Sequence, residues 1–181
     1  MKKFTKFILF ISLFIFAGCD NFMNTPIKKV ELFFNKYQSL DSDVMIQFDN
    51  VLDKDYNYPD DIIKLYRKVM IRQYKNLTYE IKDEKKDGNT SYVTVLIEVY
   101  DYAKALSEAE EYLLDNPDEF LNEDKSVNTL KYTRYKLEKM NNMKDKIQYT
   151  LELKVSKNSD TWMMEDINEI DRKKIHGIYS N

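Results

Sequence analysis

Cysteine is nearly missing from this chain. Cys19 is the only one among 181 residues, so no disulfide can form within the chain. Glycine and proline number three each. Three glycines cannot build a Gly-rich loop that cradles phosphate. Histidine is limited to His176. That excludes a zinc centre built from several His or Cys ligands, and no cofactor is implied. No G-x-S-x-G segment accompanies it, so a Ser-His-Asp hydrolase of that kind is excluded as well. As a tail histidine, His176 is expected to be solvated. Basic surplus is also missing. The net charge is −3, and the first eighteen residues hold three lysines and no acid, so the remainder stands at −6. That balance excludes a nucleic-acid partner and a basic membrane-surface patch.

What is present begins with the first nineteen residues. Lys2, Lys3 and Lys6 make a basic head, Phe7 to Phe16 is almost entirely Phe, Ile and Leu, and Ala17, Gly18 and Cys19 follow at once. A charged head, an apolar run and small residues are the order of an export signal. The run is about a dozen residues, short of the roughly twenty that cross a bilayer. An ordinary signal peptide or a short anchor helix would share this outline. The lone cysteine at the cleavage point distinguishes a further reading. Phe16-Ala17-Gly18-Cys19 resembles the lipobox of bacterial lipoproteins at its last three positions and has Phe where that family most often has Leu. The resemblance implies cleavage between Gly18 and Cys19, a lipid on Cys19 and a home at the extracytoplasmic face of the cell membrane. Residues 1–18 are then the signal peptide, 19–24 a lipidated tether, and 25–181 a single domain.

The 163 residues after the signal are enough for one domain with its own apolar core. Thr25-Pro26 reads as a cap and first residue of a helix carrying Ile27, Val30, Phe34 and Tyr37 inward, with Phe33 beside them. Asp41-Ser42-Asp43 ends it and starts a second helix with Val44, Phe48, Val51 and Leu52 inward. A loop is expected at Asp53 to Asn57. Pro59-Asp60-Asp61 opens a third helix with Ile63, Tyr66, Met70, Tyr74 and Leu77 inward, and Lys64, Arg67, Lys68 and Arg72 outward. The period then becomes two. Leu77, Tyr79 and Ile81 alternate with polar residues, Asp87-Gly88-Asn89 turns the chain, and Val93, Val95, Ile97 and Val99 mark one face of the next strand. Its other face, Tyr92 to Tyr100, is expected to be at least half covered. Residues 103 to 145 interrupt the strands with two helical patterns, Ala103 to Asn116 and Val127 to Met143. The first is acidic and the second basic, so their charges are expected to set the pairing. Ile147 to Val155 and Thr161 to Ile167 complete a second hairpin, and Ile170 to Tyr179 forms a short tail with room for one or two helical turns.

The order describes an α+β layer, with helices packed on a curved antiparallel sheet and a helical insertion between two hairpins. The opening "TPIKKVELFFNKYQSLD" helix, the closing "Lys-Asn-Ser-Asp-Thr-Trp-Met-Met" hairpin and the lipobox resemble those of NTF2-like, cystatin-like lipoproteins of low-GC bacteria. The resemblance covers about two-thirds of the mature chain, as pattern only. It implies a conical cavity between sheet and first helices. The insertion is longer than that family's usual loop, and could serve as lid, docking surface or core.

The chemistry on offer is sparse. Asp53-Lys54-Asp55-Tyr56-Asn57 has the opening spacing of a calcium loop, but Tyr58 stands where Gly is needed and Lys64 where the bidentate Glu is needed. No metal site is therefore expected. Asp101 and Asp166, with the tyrosines, supply the residue types of an isomerase- or dehydratase-like site, yet no spacing gathers them and no catalytic residue is assigned. Tyr92, Leu96, Tyr100, Tyr132 and Tyr135 form the candidate binding face, with core packing as the alternative role. The resulting expectation is a lipid-anchored domain that binds a small ligand or an envelope protein without catalysis. An enzyme with a carboxylate in the cone, and a structural or immunity-type surface protein, are the alternatives.

Overall fold

A computed structural model describes residues 23–55 and 58–180, with the side chains of 50–55 excepted. The signal, the lipobox and Cys19 lie outside the described residues. Those described form an α+β fold with six α-helices and one four-stranded antiparallel sheet.

Helix α1 is Pro26–Gln38. The Thr25 hydroxyl accepts a hydrogen bond from the Lys28 N–H at 3.2 Å, and Pro26 occupies the first turn, where its missing N–H leaves nothing unpaired. Such a cap contributes about 1 kcal/mol. Helix α2, Ser42–Asp55, begins where Asp41 accepts from the Asp43 N–H. It extends through Asp55, so the expected loop gives way to helix over 53–55. Residues 56 and 57 lie outside the described part. Helix α3 is Asp60–Asn76, opened by its two acids. Its buried seam holds Ile62, Val69, Met70, Gln73 and Tyr74. This is broader than the expected stripe and centred differently, because α3 meets neighbours on two sides.

Strands β1 (Thr78–Asp87), β2 (Thr90–Tyr100), β3 (Lys146–Asn158) and β4 (Thr161–Met164) lie side by side in chain order. A register shift between Ile81 and Asp83 bends β1. The turn at Gly88 takes φ +57, as its Asp-Gly-Asn sequence requires. The last strand stops at Met164, three residues short of expectation. Between β2 and β3 come α4 (Tyr102–Asp115), a 3-10 turn (Pro117–Phe120) and α5 (Thr129–Asn142). The chain ends in α6, Glu169–His176. Asn168 caps α6 reciprocally with Asp171: the Asp171 N–H donates to Asn168 Oδ1, and Asn168 Nδ2 donates to the Asp171 carboxylate.

Two cores result. Val93, Val95, Ile97 and Val99 are all fully buried, as their alternation requires. They join Leu151, Leu153 and Val155 of β3, Val30 and Phe34 of α1, and Ile175 of α6. Each such side chain contributes about 1.5–3 kcal/mol by leaving water. The second core is helical: Phe48, Ile62, Val69, Met70, Tyr74, Tyr102, Ala105, Leu137, Met140 and Met143. The insertion is therefore neither lid nor appendage. It completes a core with α3.

α4 and α5 run antiparallel, since Glu108 meets Lys139 and Tyr112 meets Tyr135. Charge is not what joins them. Glu108–Lys139 is the ion pair between the two helices among the described residues, and it spans 4.0 Å. The contact is aromatic. Tyr112 stacks on Tyr135 at 5.0 Å, and Phe120 meets Tyr112, Tyr132 and Tyr135 edge-on. Rings of this kind add about 0.5–1.5 kcal/mol per pair beyond their buried area, more than exposed charges at that separation supply.

The cores are locked at the end of β2. Gln73 is fully buried, its Oε1 accepting from the Tyr100 N–H at 2.9 Å and its Nε2 donating to the Tyr100 carbonyl at 3.1 Å. Gly177 lies against this pair in left-handed conformation, φ +71, and its carbonyl accepts from the Ala103 N–H at 2.7 Å. A Cβ there would stand 2.2 Å from both Gln73 Nε2 and the Tyr100 oxygen. At Gly88 a Cβ would meet nothing within 4 Å. Gly177→Ala should therefore lower stability by about 3 kcal/mol or more, whereas Gly88→Ala, which carries only the left-handed penalty, should cost about 1 kcal/mol. Urea unfolding of residues 22–181 compares the two; equal losses would mean that the Gly177 contact is not tight.

Candidate functional site

The sheet has a dry face and a wet one. On the dry face Leu153, Leu151 and Tyr149 of β3 stand opposite Val93, Val95 and Ile97. Phe34 reaches down from α1 and stacks on Tyr79 at 4.7 Å. Side chains from α1 and the sheet fill the space between them. On the wet face Tyr92 lies between Lys85 and Lys154, and Leu96 between Glu80 and Thr150. None of the β2 residues on this face is fully buried, and Tyr92 keeps 37% of its surface. What covers them is largely the polar and charged side chains of neighbouring strands.

The candidate binding residues fall into separate groups. Tyr92 and Leu96 sit on the wet sheet face. Tyr100 is at the strand end, with the Arg72 guanidinium 3.6 Å above its ring and Lys146 Nζ at 5.7 Å. Tyr132 and Tyr135 belong to the aromatic joint of α4 and α5, with Lys136 and Lys139 over their rings at 4.7 and 5.7 Å. For this second pair, packing between helices is the role that the contacts describe.

Arg72 differs from its expected outward direction. Its guanidinium donates to the Met143 carbonyl at 2.6 Å and to that of Met140 at 3.3 Å, capping the C-terminal end of α5 while covering Tyr100. A cation suits the partial negative charge of that helix end. The i, i+3/i+4 pattern puts Arg72 on the outward side of α3, where the structure places the end of α5. It carried no sign that a second helix would stand there.

The titratable groups are used structurally. Asp101 caps α4, accepting from the Lys104 N–H at 2.9 Å, and Asp166 is exposed. Neither is a buried base. The Tyr102 hydroxyl donates to the Val69 carbonyl at 3.0 Å, and burial pushes its pKa up to about 12. His176 is not solvated as its place in the tail suggests. Its Nε2 lies 3.1 Å from the Tyr74 hydroxyl, and the residue is half-buried. Burial first, and the nearby Arg172 charge second, lower its pKa to about 4. Among the described residues no group of three His, Cys, Asp or Glu side chains could hold a metal ion, and no helix is long and apolar enough to cross a membrane.

Two surface grooves stand out among the described residues. One, of about 370 Å³, lies between α1 and α2, with Phe33, Tyr37, Val44 and Ile46 as apolar lining and the Lys36–Asp43 pair, 3.0 Å apart, at its side. The other, of about 290 Å³, lies where α4 meets β3 and the C-terminal residues. Neither gathers a nucleophile with a base. Both could take an apolar side chain or a small molecule.

The half-buried His176 makes stability depend on acid. Its folded pKa, about 4, is below the ordinary 6.5, so between those values the unfolded chain binds a proton that the folded chain refuses. The contribution is full above pH 6.5 and is lost as pH falls towards 4. Its size is on the order of 2–3 kcal/mol. His176→Gln should remove that part of the slope between pH 7 and 4, measured by urea unfolding against the parent chain; parallel slopes would show that His176 is solvated.

No protein-family model matches this chain, and neither a curated protein nor a solved structure matches it either.

Proposed function

We propose that this is a bacterial lipoprotein of the NTF2-like, cystatin-like kind, held at the outer side of the cell membrane by a lipid on Cys19, whose domain binds an envelope protein and catalyses nothing. The observation that carries the choice of protein binding is the filled interior. Where a cone would hold a substrate, Val30 and Phe34 are buried against Val93, Val95 and Ile97. A catalytic carboxylate of the isomerase type needs a buried pocket that raises its pKa and admits substrate. Asp101 serves as a helix cap instead, and Asp166 stands in water.

A second reading has one specific observation in its favour. The α1–α2 groove of about 370 Å³ is within the size range of small-molecule sites and has an apolar lining. Capture of a small apolar ligand there would also need no catalysis.

Two measurements test the proposal. Fatty-acid labelling in a bacterial host should mark the parent chain and send it to the membrane fraction, while Cys19→Ala should remain unlabelled. Labelling of the Cys19→Ala chain would remove the anchor assignment. Native mass spectrometry of residues 22–181 should give the bare polypeptide mass. A small-molecule increment present only under native conditions would favour the groove reading.

A further inference from the structure

The place where the tether joins the domain is fixed by one side chain. Asn24 Nδ2 donates to the Asp160 carbonyl at 2.6 Å, and Asn24 Oδ1 accepts from the Trp162 N–H at 2.9 Å. The asparagine thus stands beside β4 as a short extra strand would. Directly after it come the Thr25 cap, the buried Pro26 and α1, which packs against β4. No slack follows Asn24. From Asn24 to Cys19 is five residues, which reach at most about 18 Å when fully extended.

The sheet register says which end of the domain this is. Asn158 pairs with Thr161 at the β3–β4 turn, and the Lys157 N–H donates to the Asn89 carbonyl at 2.7 Å, so both hairpin turns share one end of the sheet. Tyr100 and Lys146 pair at the other end, where the α4–α5 hairpin enters and leaves. The eleven residues of β2 separate the two ends by about 33 Å.

From this we infer that Asn24 is a clamp that fixes the exit of the anchor, turns the β4 edge and the two hairpin turns to the lipid surface, and holds the α4–α5 hairpin away from it. The inference rests on the lipid-anchor reading of Cys19. The surface beside the clamp suits a lipid headgroup layer. Met23 and Met163, which flank the bonded residues in sequence, expose 46% and 56% of their surface. Unbranched thioether side chains adapt readily to such a boundary. Of the lysines on β3 beside the clamp, Lys154 is paired with Glu165 at 3.1 Å and Lys157 with Asp160 at 3.6 Å. The orientation therefore comes from the short tether and its clamp and does not require anionic lipid.

The test uses the full lipidated chain in phosphatidylcholine vesicles that carry an acceptor dye on their headgroups. Single donor dyes are placed at Asp87→Cys, on the turn end, and at Glu123→Cys, on the helical hairpin; the Cys19 sulfur is blocked by its lipid. Energy transfer should be several-fold greater from position 87 than from 123. Asn24→Ala, which frees about one more residue of tether, should reduce that contrast while the melting temperature moves by no more than a few degrees. Equal transfer from both positions in a vesicle-bound parent chain would overturn the orientation and leave the anchor reading intact. Contrast undiminished in Asn24→Ala would overturn the clamp. A chain that does not float with the vesicles would overturn the anchor and the inference together.

Discussion

The bond pair between Gln73 and Tyr100 holds this fold to one arrangement. A glutamine amide has the same donor and acceptor as a peptide group, so Gln73 can extend the ladder at the end of β2 from a helix. Both bonds are made out of contact with water, and a buried amide left without its partners costs about 1–3 kcal/mol. α3 therefore cannot slide or rotate against the sheet without losing both bonds at once. Gly177 closes the space on the remaining side, and its own carbonyl starts α4 through the Ala103 N–H. Three parts of the chain remote in sequence meet within one small volume: α3, the junction where β2 ends and α4 begins, and the end of α6. Hydrophobic contact would bring them together in several registers. The directional bonds select one.

The same logic explains how the tyrosines are used. The chain has fourteen. Several that enter the cores bring their hydroxyl to a specific partner: Tyr102 to the Val69 carbonyl, Tyr149 to the Tyr179 carbonyl, and Tyr74 to His176. Among the described residues no buried side-chain nitrogen or oxygen lacks a hydrogen-bond partner. A domain without disulfides gains from this, since each satisfied polar group inside a core adds direction to packing that is otherwise indifferent to it. It also bears on function. A tyrosine whose hydroxyl is held by a backbone carbonyl, with its pKa raised by burial, is poorly placed to exchange protons with a substrate.

The dry face of β2 was legible in the sequence because period-two alternation of β-branched residues has no other stable use. Thr25-Pro26, Asp41-Ser42-Asp43 and Pro59-Asp60-Asp61 were legible because caps and helix starts are local chemistry. The errors share a cause. Arg72 read as outward, His176 as solvated and the α4–α5 pair as electrostatic because each depends on a partner more than thirty residues away or on a ring contact that charge patterning does not record. The seam of α3 departs from its sequence pattern for the same reason. A helix with one neighbour shows a single stripe, while one wedged between α1 and α5 buries a wider arc, including a glutamine that polarity alone would send to the surface. The split of the candidate binding face is a similar case, since type and size grouped tyrosines that topology separates.

The two amide clamps do related work at opposite ends of the sheet. Gln73 satisfies the end of β2, where the helical half of the molecule is attached; Asn24 satisfies the outer edge of β4, where the chain enters. An open strand edge is a template for unwanted pairing, and proteins cover, shorten or charge it. Here β4 is four residues long and partly covered by Asn24, while the longer edge strand β1 carries Lys82, Lys85, Lys86 and four acids and is bent by its register shift. With both edges guarded and the interior filled, the surfaces that stand open among the described residues include the helical hairpin, the two grooves and the wet sheet face. Each of them presents side chains rather than backbone. Strand addition is the mode of recognition that such edges oppose.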